Sequence, residues 1–283
     1  MSVKLVTDST ADILRQTQKE LDITVIPLSI HFPDESFIDG QVPTDYFYEK
    51  LAESPVIPTS SQPSRGEIQA IFEDLVIRRH DIVAVFLSSK ISGTYETALA
   101  AKESVLRQYE GAKIAIIDSL NTAMAVGYPV MEAAREAREG KSFSDVYSIA
   151  QSLVERMRLY FIPATFEYMH KGGRIGGAAA LIGSLLDIKP VLYFAEGITS
   201  VAKKVRTMRR AIRHMLRLLD ADSRAYGLKA VIVQHIDNLV QARTLARLIK
   251  ERYGLVAPIV PVGPIVGLHG GPGTIAIVYC LEK

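Results

Sequence analysis

The stretch Ser88-Ser89-Lys90-Ile91-Ser92-Gly93-Thr94 determines the fold that we predict for this chain. It follows the apolar run 82–87, which is short and rich in β-branched residues, as expected of a buried parallel strand. It precedes residues 95–108, whose content of Ala, Leu, Glu and Lys predicts a helix. Open α/β sheets bind ligands in loops of this kind, where the free N–H groups of the helix favour an anion. Because serines also cap helices, the loop alone leaves binding and capping equally open.

Two other predicted strands end in similar polar residues. Residues 3–7 lead into Asp8-Ser9, and residues 113–117 lead into Asp118-Ser119. Because parallel strands place their carboxyl ends at one edge of a sheet, we expect these loops to converge with the Ser88 loop. The Pro-rich segment 58–64 adds a second cluster of hydroxyl groups. The convergence predicts a binding site, although Asp and Ser are also ordinary turn residues.

The order of the elements predicts two α/β domains. Strands and helices alternate up to residue 160, where an amphipathic helix predicted over residues 143–159 ends, and this alternation is typical of a parallel sheet. Beyond it the chain becomes rich in glycine, and residues 201–205 are expected to pair back on the strand at 188–194. We therefore predict an N-terminal α/β domain over 1–160 and a mixed-sheet α/β domain over 161–283.

Composition excludes several classes of protein. The chain has 283 residues, of which 48% are hydrophobic and 23% charged, an ordinary globular balance. Its net charge of +2 argues against a nucleic-acid-binding face. The arginines of residues 206–217 recur at helical spacing, which is typical of a solvated helix face. The single cysteine, Cys280, excludes an internal disulfide framework and fits a reducing compartment.

The sequence also predicts a soluble, cytoplasmic protein without stable membrane insertion. The first residues run directly into a predicted strand and lack the apolar segment of a signal peptide. Residues 255–281 carry no Asp, Glu, Lys or Arg. Their four prolines prevent this stretch from forming a membrane helix.

Motifs for phosphate, dinucleotide and metal binding are missing from the sequence. It has no G-x-x-x-x-G-K-[ST] loop and no G-x-G-x-x-G opening a helix, and its six histidines lack metal-ligand spacing. A serine hydrolase is one interpretation, with Ser92 as nucleophile, His269 as base and Asp8 or Asp118 as orienting group. Lys90 stands where the nucleophile elbow needs glycine, and the same side chains also suit static binding of a carboxylate.

The sequence resembles the DegV family of bacterial fatty-acid-binding proteins. The resemblance spans nearly the whole chain, and the motifs occur in the family's order. The matching stretches are Val6-Thr7-Asp8-Ser9-Thr10-Ala11-Asp12, Ser60-Ser61-Gln62-Pro63, Ser88 to Tyr95, Asp118-Ser119, Glu167 to Ile175, Lys204-Val205-Arg206-Thr207 and residues 262–273.

The resemblance implies a two-domain DegV-like fold that holds one long-chain fatty acid, with its carboxylate between the domains. It also implies an apolar tunnel for the fatty-acid tail in the second domain, and residues 175–192 are our candidate wall. The residues that it implies for fatty-acid binding are Ser60, Ser92 and His269 as the main carboxylate donors, Gly93 and Thr94 beside Ser92, Thr59, and Arg174 and Arg206 near the head group.

The chain departs from the family pattern at two positions. Ser60 stands where the family usually has threonine, which leaves Thr59 as an alternative donor one residue earlier. Gly270 replaces the usual threonine after His269, so a hydroxyl contact there is in doubt.

By the same resemblance, the protein is a carrier and not an enzyme. It is expected to need no cofactor or metal beyond its bound long-chain fatty acid. It would present the carboxylate to the catalytic subunit of a separate ATP-dependent fatty-acid kinase and carry the acyl phosphate towards phospholipid synthesis. The alternatives are the hydrolase that uses Ser92 and His269, and a kinase that binds ATP by itself.

Overall fold

The structure, a computed structural model, describes residues 2–181 and 188–283. The chain divides into two compact units. The first contains residues up to His31 together with 36–41 and 60–155, and the second contains 32–35, 42–59 and 156–283. The predicted domains 1–160 and 161–283 stay a prediction.

Strands and helices alternate through much of the described chain. The strands are β1 (Val3–Asp8), β2 (Thr24–Ile26), β3 (Ser29–His31), β4 (Ser36–Ile38), β5 (Thr59–Ser61), β6 (Asp81–Phe86), β7 (Ile114–Asp118), β8 (Met157–Ile162), β9 (Val191–Ala195), β10 (Ile198–Lys203), β11 (Leu228–His235), β12 (Ile259–Pro261) and β13 (Ile275–Leu281). The α-helices are α1 (Arg15–Leu21), α2 (Thr44–Glu53), α3 (Arg65–Ile77), α4 (Thr94–Gln108), α5 (Met124–Arg138), α6 (Phe143–Arg156), α7 (Glu167–Lys171), α8 (Met208–Tyr226), α9 (Leu239–Tyr253) and α10 (Pro264–Gly270). Short 3-10 helices cover Ser9–Ala11 and Gly176–Leu181.

The first unit is built on a four-stranded sheet in the order β2-β1-β6-β7. All three pairings are parallel, with Thr7 opposite Val85 and Val85 opposite Ile117. The carboxyl ends of β1, β6 and β7 therefore lie side by side, which confirms the predicted parallel sheet. The central strand β6 is buried along its whole length, as its uninterrupted apolar sequence predicts.

Helices cover both faces of this sheet. On one face, the side chains of Val83 and Val85 pack in a cluster with Val126 and Val130 of α5. On the other, residues of β1 and β6 pack in a second cluster with Phe72 of α3 and other side chains of α3 and α4. The sheet is thereby fixed, and its loop-bearing edge becomes a rigid platform.

The second unit is built on a six-stranded mixed sheet in the order β10-β9-β8-β13-β11-β12. Its pairings are antiparallel except for the parallel pair β11 and β12. This confirms the mixed sheet expected for the second half of the chain, including the antiparallel pairing of β9 with β10. Helices α8 and α9 contribute to the cluster of buried residues that includes Tyr279 and Ile277 of β13.

The helix predicted over residues 143–159 was too long. Helix α6 ends at Arg156, and Met157 begins strand β8, which pairs with β13 along its whole length. Two of its apolar side chains, at Leu159 and Phe161, are almost fully buried. Pairing with β13 provides hydrogen-bond partners for the backbone N–H and C=O groups of this segment. This pairing outweighs the helical spacing of the apolar residues in the sequence.

Part of the candidate tunnel wall, residues 182–187 within the predicted 175–192, lies outside the described residues. Of the remainder, Ile175, Ala178 and Leu181 before the gap and Val191 and Leu192 after it are buried. No helix within residues 2–181 and 188–283 combines the length and apolar character needed to cross a membrane.

The first unit contains a buried acidic residue, Asp39, whose ionised form is unfavourable in the folded state. Asp39 is 7% exposed, its backbone N–H donates to the carbonyl of Leu28, and its carboxylate is bonded to Ser9. Burial raises the pKa of Asp39 to about 6, and the nearby Asp8 carboxylate adds to this shift. Ionising Asp39 in the folded state is therefore unfavourable.

We predict that Asp39→Asn stabilises the protein above pH 6. The raised pKa means that the folded state holds more protons than the unfolded state between about pH 4 and pH 6, so the contribution of Asp39 to stability falls as pH rises through that window. Removing the charge should raise the free energy of unfolding at pH 8 by about 1–3 kcal/mol. Urea denaturation at pH 4 and pH 8 measures this, with exposed Asp237→Asn as the control. An equal effect of both substitutions at both pH values would contradict the assignment.

Candidate functional site

The loop Ser88–Thr94 joins β6 to α4 in the first unit and is held by the two neighbouring loops. The Oδ2 atom of Asp8 accepts from the N–H of Leu87 at 2.9 Å. On the other side, the Oδ1 atom of Asp118 accepts from the N–H of Ser89 at 3.2 Å, and the N–H of Ser88 donates to the carbonyl of Asn121 at 2.8 Å. The predicted convergence of the three loops is therefore present as direct hydrogen bonds.

Asp8 and Asp118 serve the backbone in these loops. Asp8 is fully buried, and its Oδ1 atom also accepts from the N–H of Thr10 at 2.9 Å. Asp118 accepts in addition from the N–H of Leu120 at 2.9 Å. Burial raises the pKa of Asp8, while its hydrogen bonds to Thr10 and Leu87 oppose the shift. These carboxylates hold the loops in place.

Ser92 presents its hydroxyl at the amino end of α4. Its Oγ lies 2.9 Å from the Oγ1 of Thr94 and accepts from the N–H of Thr94 at 3.3 Å. Thr94 is buried, whereas Ser92 and Gly93 are partly exposed. A helix of this length directs the positive end of its dipole and its free N–H groups towards its first turn. The position thus combines a hydroxyl donor with a field that favours negative charge.

Ser60 lies on the short strand β5. Ser61 is bonded through its Oγ to the Nε2 of His31 at 2.9 Å, and the Nδ1 of that histidine is bonded to Ser36 at 2.8 Å. Side chains alternate along a strand, so Ser60 points away from the face that carries Thr59 and Ser61. Ser60 is half-buried, while Thr59 is exposed.

Gln62 connects the two hydroxyl clusters of the first unit, a role that sequence reasoning missed. Its Nε2 donates to the Oγ1 of Thr97 on α4 at 2.7 Å. A Cβ atom at position 93 would lie 2.4 Å from the Oε1 of Gln62, so Gly93 leaves the space that this amide needs. The Ser-Gln-Pro motif of the resemblance was the available signal. The structure therefore ties the Ser60 segment to the Ser92 loop.

In the second unit, His269 lies in the last turn of α10 against the end of α7. A Cβ atom at Gly172 would lie 2.4 Å from the Nδ1 of His269, and one at Gly271 would lie 2.6 Å from the ring of Tyr168. These glycines allow the two Gly-rich stretches of the resemblance to pack closely. Helix α10 was not predicted from the sequence; it begins with Pro264, which the first turn of a helix accepts.

The environment of His269 keeps its imidazole neutral. Burial, together with the smaller effect of the positive charge of Arg174, lowers the pKa of His269 to about 4. A neutral imidazole offers one N–H donor and one acceptor nitrogen. Arg174 donates from Nη1 to the carbonyl of Gly172, and its own carbonyl accepts from the hydroxyl of Thr199 at 2.9 Å. His269 and Arg174 thus belong to one local cluster.

Arg206, also predicted for the head group, differs from Arg174 in its setting. It is exposed in the segment between β10 and α8. Within the residues that the structure describes, its side chain forms no hydrogen bond or ion pair. Its predicted role therefore gains no support from local geometry.

These features define a class of α/β protein. A parallel-sheet unit carries a double hydroxyl cluster at one sheet edge, and a mixed-sheet unit carries a partly buried, neutral histidine beside an arginine. The DegV family model matches residues 2–282. The chain belongs to the DegV family, which confirms the resemblance seen in the sequence.

Relatives match along their whole length. A DegV domain-containing protein from Clostridium acetobutylicum is 40% identical over 283 residues, which cover 100% of this chain and 99% of the relative. The solved structure of DegV from Bacillus subtilis, described as a fatty acid binding protein, is 30% identical with a TM-score of 0.87 and covers 99% of each chain. A stearic acid-binding protein from Eubacterium ventriosum is 25% identical with a TM-score of 0.89 and covers 99% of this chain and 98% of its own. Both of these structural neighbours are thus described as fatty-acid-binding proteins.

We predict that Gly172→Ala disturbs the histidine cluster. Gly172 has an ordinary φ of −74°, so backbone strain does not enter, and the added methyl group meets His269 and the carbonyl of Tyr168. Overpacking of this kind costs about 1–3 kcal/mol. Urea denaturation should show this loss, whereas Gly66→Ala in the first turn of α3, with open space around the new methyl group, should leave stability unchanged or raise it slightly. Equal stability of the two variants would contradict the close contact.

Proposed function

We propose that this protein binds a long-chain fatty acid in the cytoplasm and presents its carboxylate to a separate ATP-dependent fatty-acid kinase. The resulting acyl phosphate would be carried towards phospholipid synthesis. The observation that carries the proposal is the match, over the whole chain, to solved DegV proteins that are described as fatty-acid-binding. The kinase and the acyl phosphate come from the family resemblance.

The carboxylate is assigned to Ser60, Ser92 and His269. Ser92 supports this assignment because its hydroxyl lies at the start of α4, where the helix dipole favours an anion. Ser60 supports it because it faces away from the hydrogen-bonded Ser61, which also favours it over Thr59. The two units carry these residues separately, so their joint role rests on the family motif.

His269 suits a donor better than a general base. With a pKa of about 4 it is neutral near pH 7 and offers one N–H to a carboxylate oxygen. A base with so low a pKa would be a weak acceptor of the proton of a serine at that pH. Asp8 and Asp118, the candidate orienting groups of a hydrolase, are engaged by backbone N–H groups of the first unit. Both points favour binding over hydrolysis.

Arg174 is proposed to act at the head group through its positive charge. It lies close enough to His269 to lower the pKa of the imidazole, and a bound carboxylate would offset that charge. Arg206 is proposed to act after phosphoryl transfer or in kinase contact. Gly93 and Thr94 are proposed to place Ser92, because Thr94 is bonded to its hydroxyl.

The tail should supply most of the binding free energy. Burying roughly 15 methylene groups at about 0.8 kcal/mol each gives on the order of 12 kcal/mol before ordering costs. A hydrogen bond to a charged carboxylate contributes about 1.5–3 kcal/mol. The head-group residues therefore fix the position of the carboxylate, while the apolar chain sets the affinity.

We predict that Ser60→Ala combined with Ser92→Ala weakens palmitate binding by about 10²- to 10⁴-fold without abolishing it, because two hydrogen bonds to the carboxylate are lost. Binding of 1-hexadecanol, which has no carboxylate, should change little. Calorimetry on delipidated protein measures both ligands, and NMR of palmitate labelled with ¹³C at its carboxyl reports the head-group environment. Ser144→Ala with Ser148→Ala, on an exposed face of α6, is the control. Complete loss of both ligands would show that these serines support the fold and not the head group.

The kinase step is tested by trapping its product. We expect protein loaded with palmitate, a bacterial fatty-acid kinase subunit and ATP to yield palmitoyl hydroxamate when hydroxylamine is present. Either protein alone should yield none. Product from this chain and ATP without the second protein would favour a self-sufficient kinase. Ester cleavage lost on Ser92→Ala would favour the hydrolase.

A further inference from the structure

An apolar groove lies between α8 and α9 of the second unit. Its volume is about 380 Å³. The floor is formed mainly by Met208, Ile212 and Leu216 of α8 and by Leu248 of α9. Ile212 and Leu216 are also part of the core, so the helix that carries the floor is firmly held. A concave apolar surface on the outside of two packed helices is available to a partner.

Two arginines without acidic partners line this groove, and three more lie in the same segment. Arg209 and Arg213 line it and are exposed. Three further arginines of the same segment, Arg206, Arg210 and Arg217, are also exposed. In residues 2–181 and 188–283, none of the five side chains forms a hydrogen bond or an ion pair. No Asp or Glu occurs from position 198 to position 219.

The far end of the same helix pair is built differently. There Arg252 is bonded to Asp220 through two nitrogen atoms, and Arg247 pairs with Glu251 at 3.0 Å. Positive charge is thus compensated at one end of α8 and α9 and uncompensated at the other. The pKa of His214 on α8 is lowered, first by burial and then by the charges of Lys203 and Arg217, which agrees with a positive field.

We propose that this groove docks an acidic amphipathic helix of a partner protein. Leucine-like side chains of that helix would fill the groove, and its carboxylates would pair with Arg209 and Arg213. The floor residues of α8 run from position 208 to position 216. Eight residue steps of 1.5 Å span about 12 Å, which matches roughly two turns of a docked helix and anchors at i, i+4 and i+7.

Other occupants fit this surface less well. A lipid bilayer is flat, whereas the apolar side chains of the floor are recessed between two helices, although Val240 at the start of α9 is 76% exposed. Nucleic acid would find positive charge here but an apolar floor without aromatic side chains on which bases could stack. A second copy docked through the same groove would bring Arg209 and Arg213 of one copy against the same arginines of the other. Charge complementarity therefore selects an acidic protein segment.

The test uses the full chain and a labelled synthetic peptide of about 15 residues, with leucines at i, i+4 and i+7 and glutamates on both flanks. Fluorescence anisotropy should show binding that weakens at least about tenfold in Arg209→Glu with Arg213→Glu. Thr244→Trp, which fills the groove from α9 without changing its charge, should weaken binding similarly. The control, Lys102→Glu with Arg107→Glu on α4, changes the net charge equally and should leave binding unchanged.

Each remaining outcome decides against the proposal. A scrambled acidic peptide that binds as well as the amphipathic one would indicate unspecific attraction. Unchanged binding in the groove variants would place the contact elsewhere. Absence of peptide binding, with phosphatidylglycerol vesicles bound by the native chain and lost in Arg209→Glu with Arg213→Glu, would assign the face to membranes. Retained palmitate binding in each variant checks that the fold survives.

Discussion

One buried carboxylate organises the edge of the sheet on which the proposed function depends. Asp8 accepts from the N–H groups of Thr10 and Leu87 and so joins the loop after β1 to the loop after β6. A buried charge is costly unless such hydrogen bonds satisfy it, and its removal would leave the N–H of Leu87 without this acceptor in the core. The position of Ser92, five residues further along, follows from this connection. Asp8 therefore matters for the placement of the loop to which we assign carboxylate binding.

In the second unit, glycines determine the position of the candidate histidine, His269. His269 and Tyr168 approach Gly172 and Gly271 so closely that a side chain at either glycine would meet them. The tight packing removes much of the imidazole from water, and this desolvation keeps it neutral near pH 7. One unit thus presents hydroxyl donors near a helix amino end, and the other presents a neutral ring next to the positive charge of Arg174. Both arrangements favour binding of an anion over proton transfer.

Local sequence predicted the parallel sheet because β6 is a short apolar run followed by a polar loop. This pattern is typical of a buried parallel strand. Strand β8 was missed because the amphipathic period of α6 continues through Met157, and only pairing with β13, more than a hundred residues later, decides for a strand. No helix was predicted at α10, which contains Gly267 and Gly270. Gly267 is required there since a Cβ would lie 2.0 Å from the hydroxyl of Tyr48, a contact that local sequence does not encode.

Ser92 and His269 were predicted from motifs, whereas Gln62 acts through a tertiary contact and was overlooked.

The central claim, that this chain carries a long-chain fatty acid, is tested most directly by native mass spectrometry of protein purified from bacteria without detergent. We expect a population heavier than the polypeptide by the mass of one long-chain fatty acid, lost on delipidation and restored by palmitate or oleate. Protein that carries no lipid as purified, and that takes up neither acid after delipidation, would contradict the account.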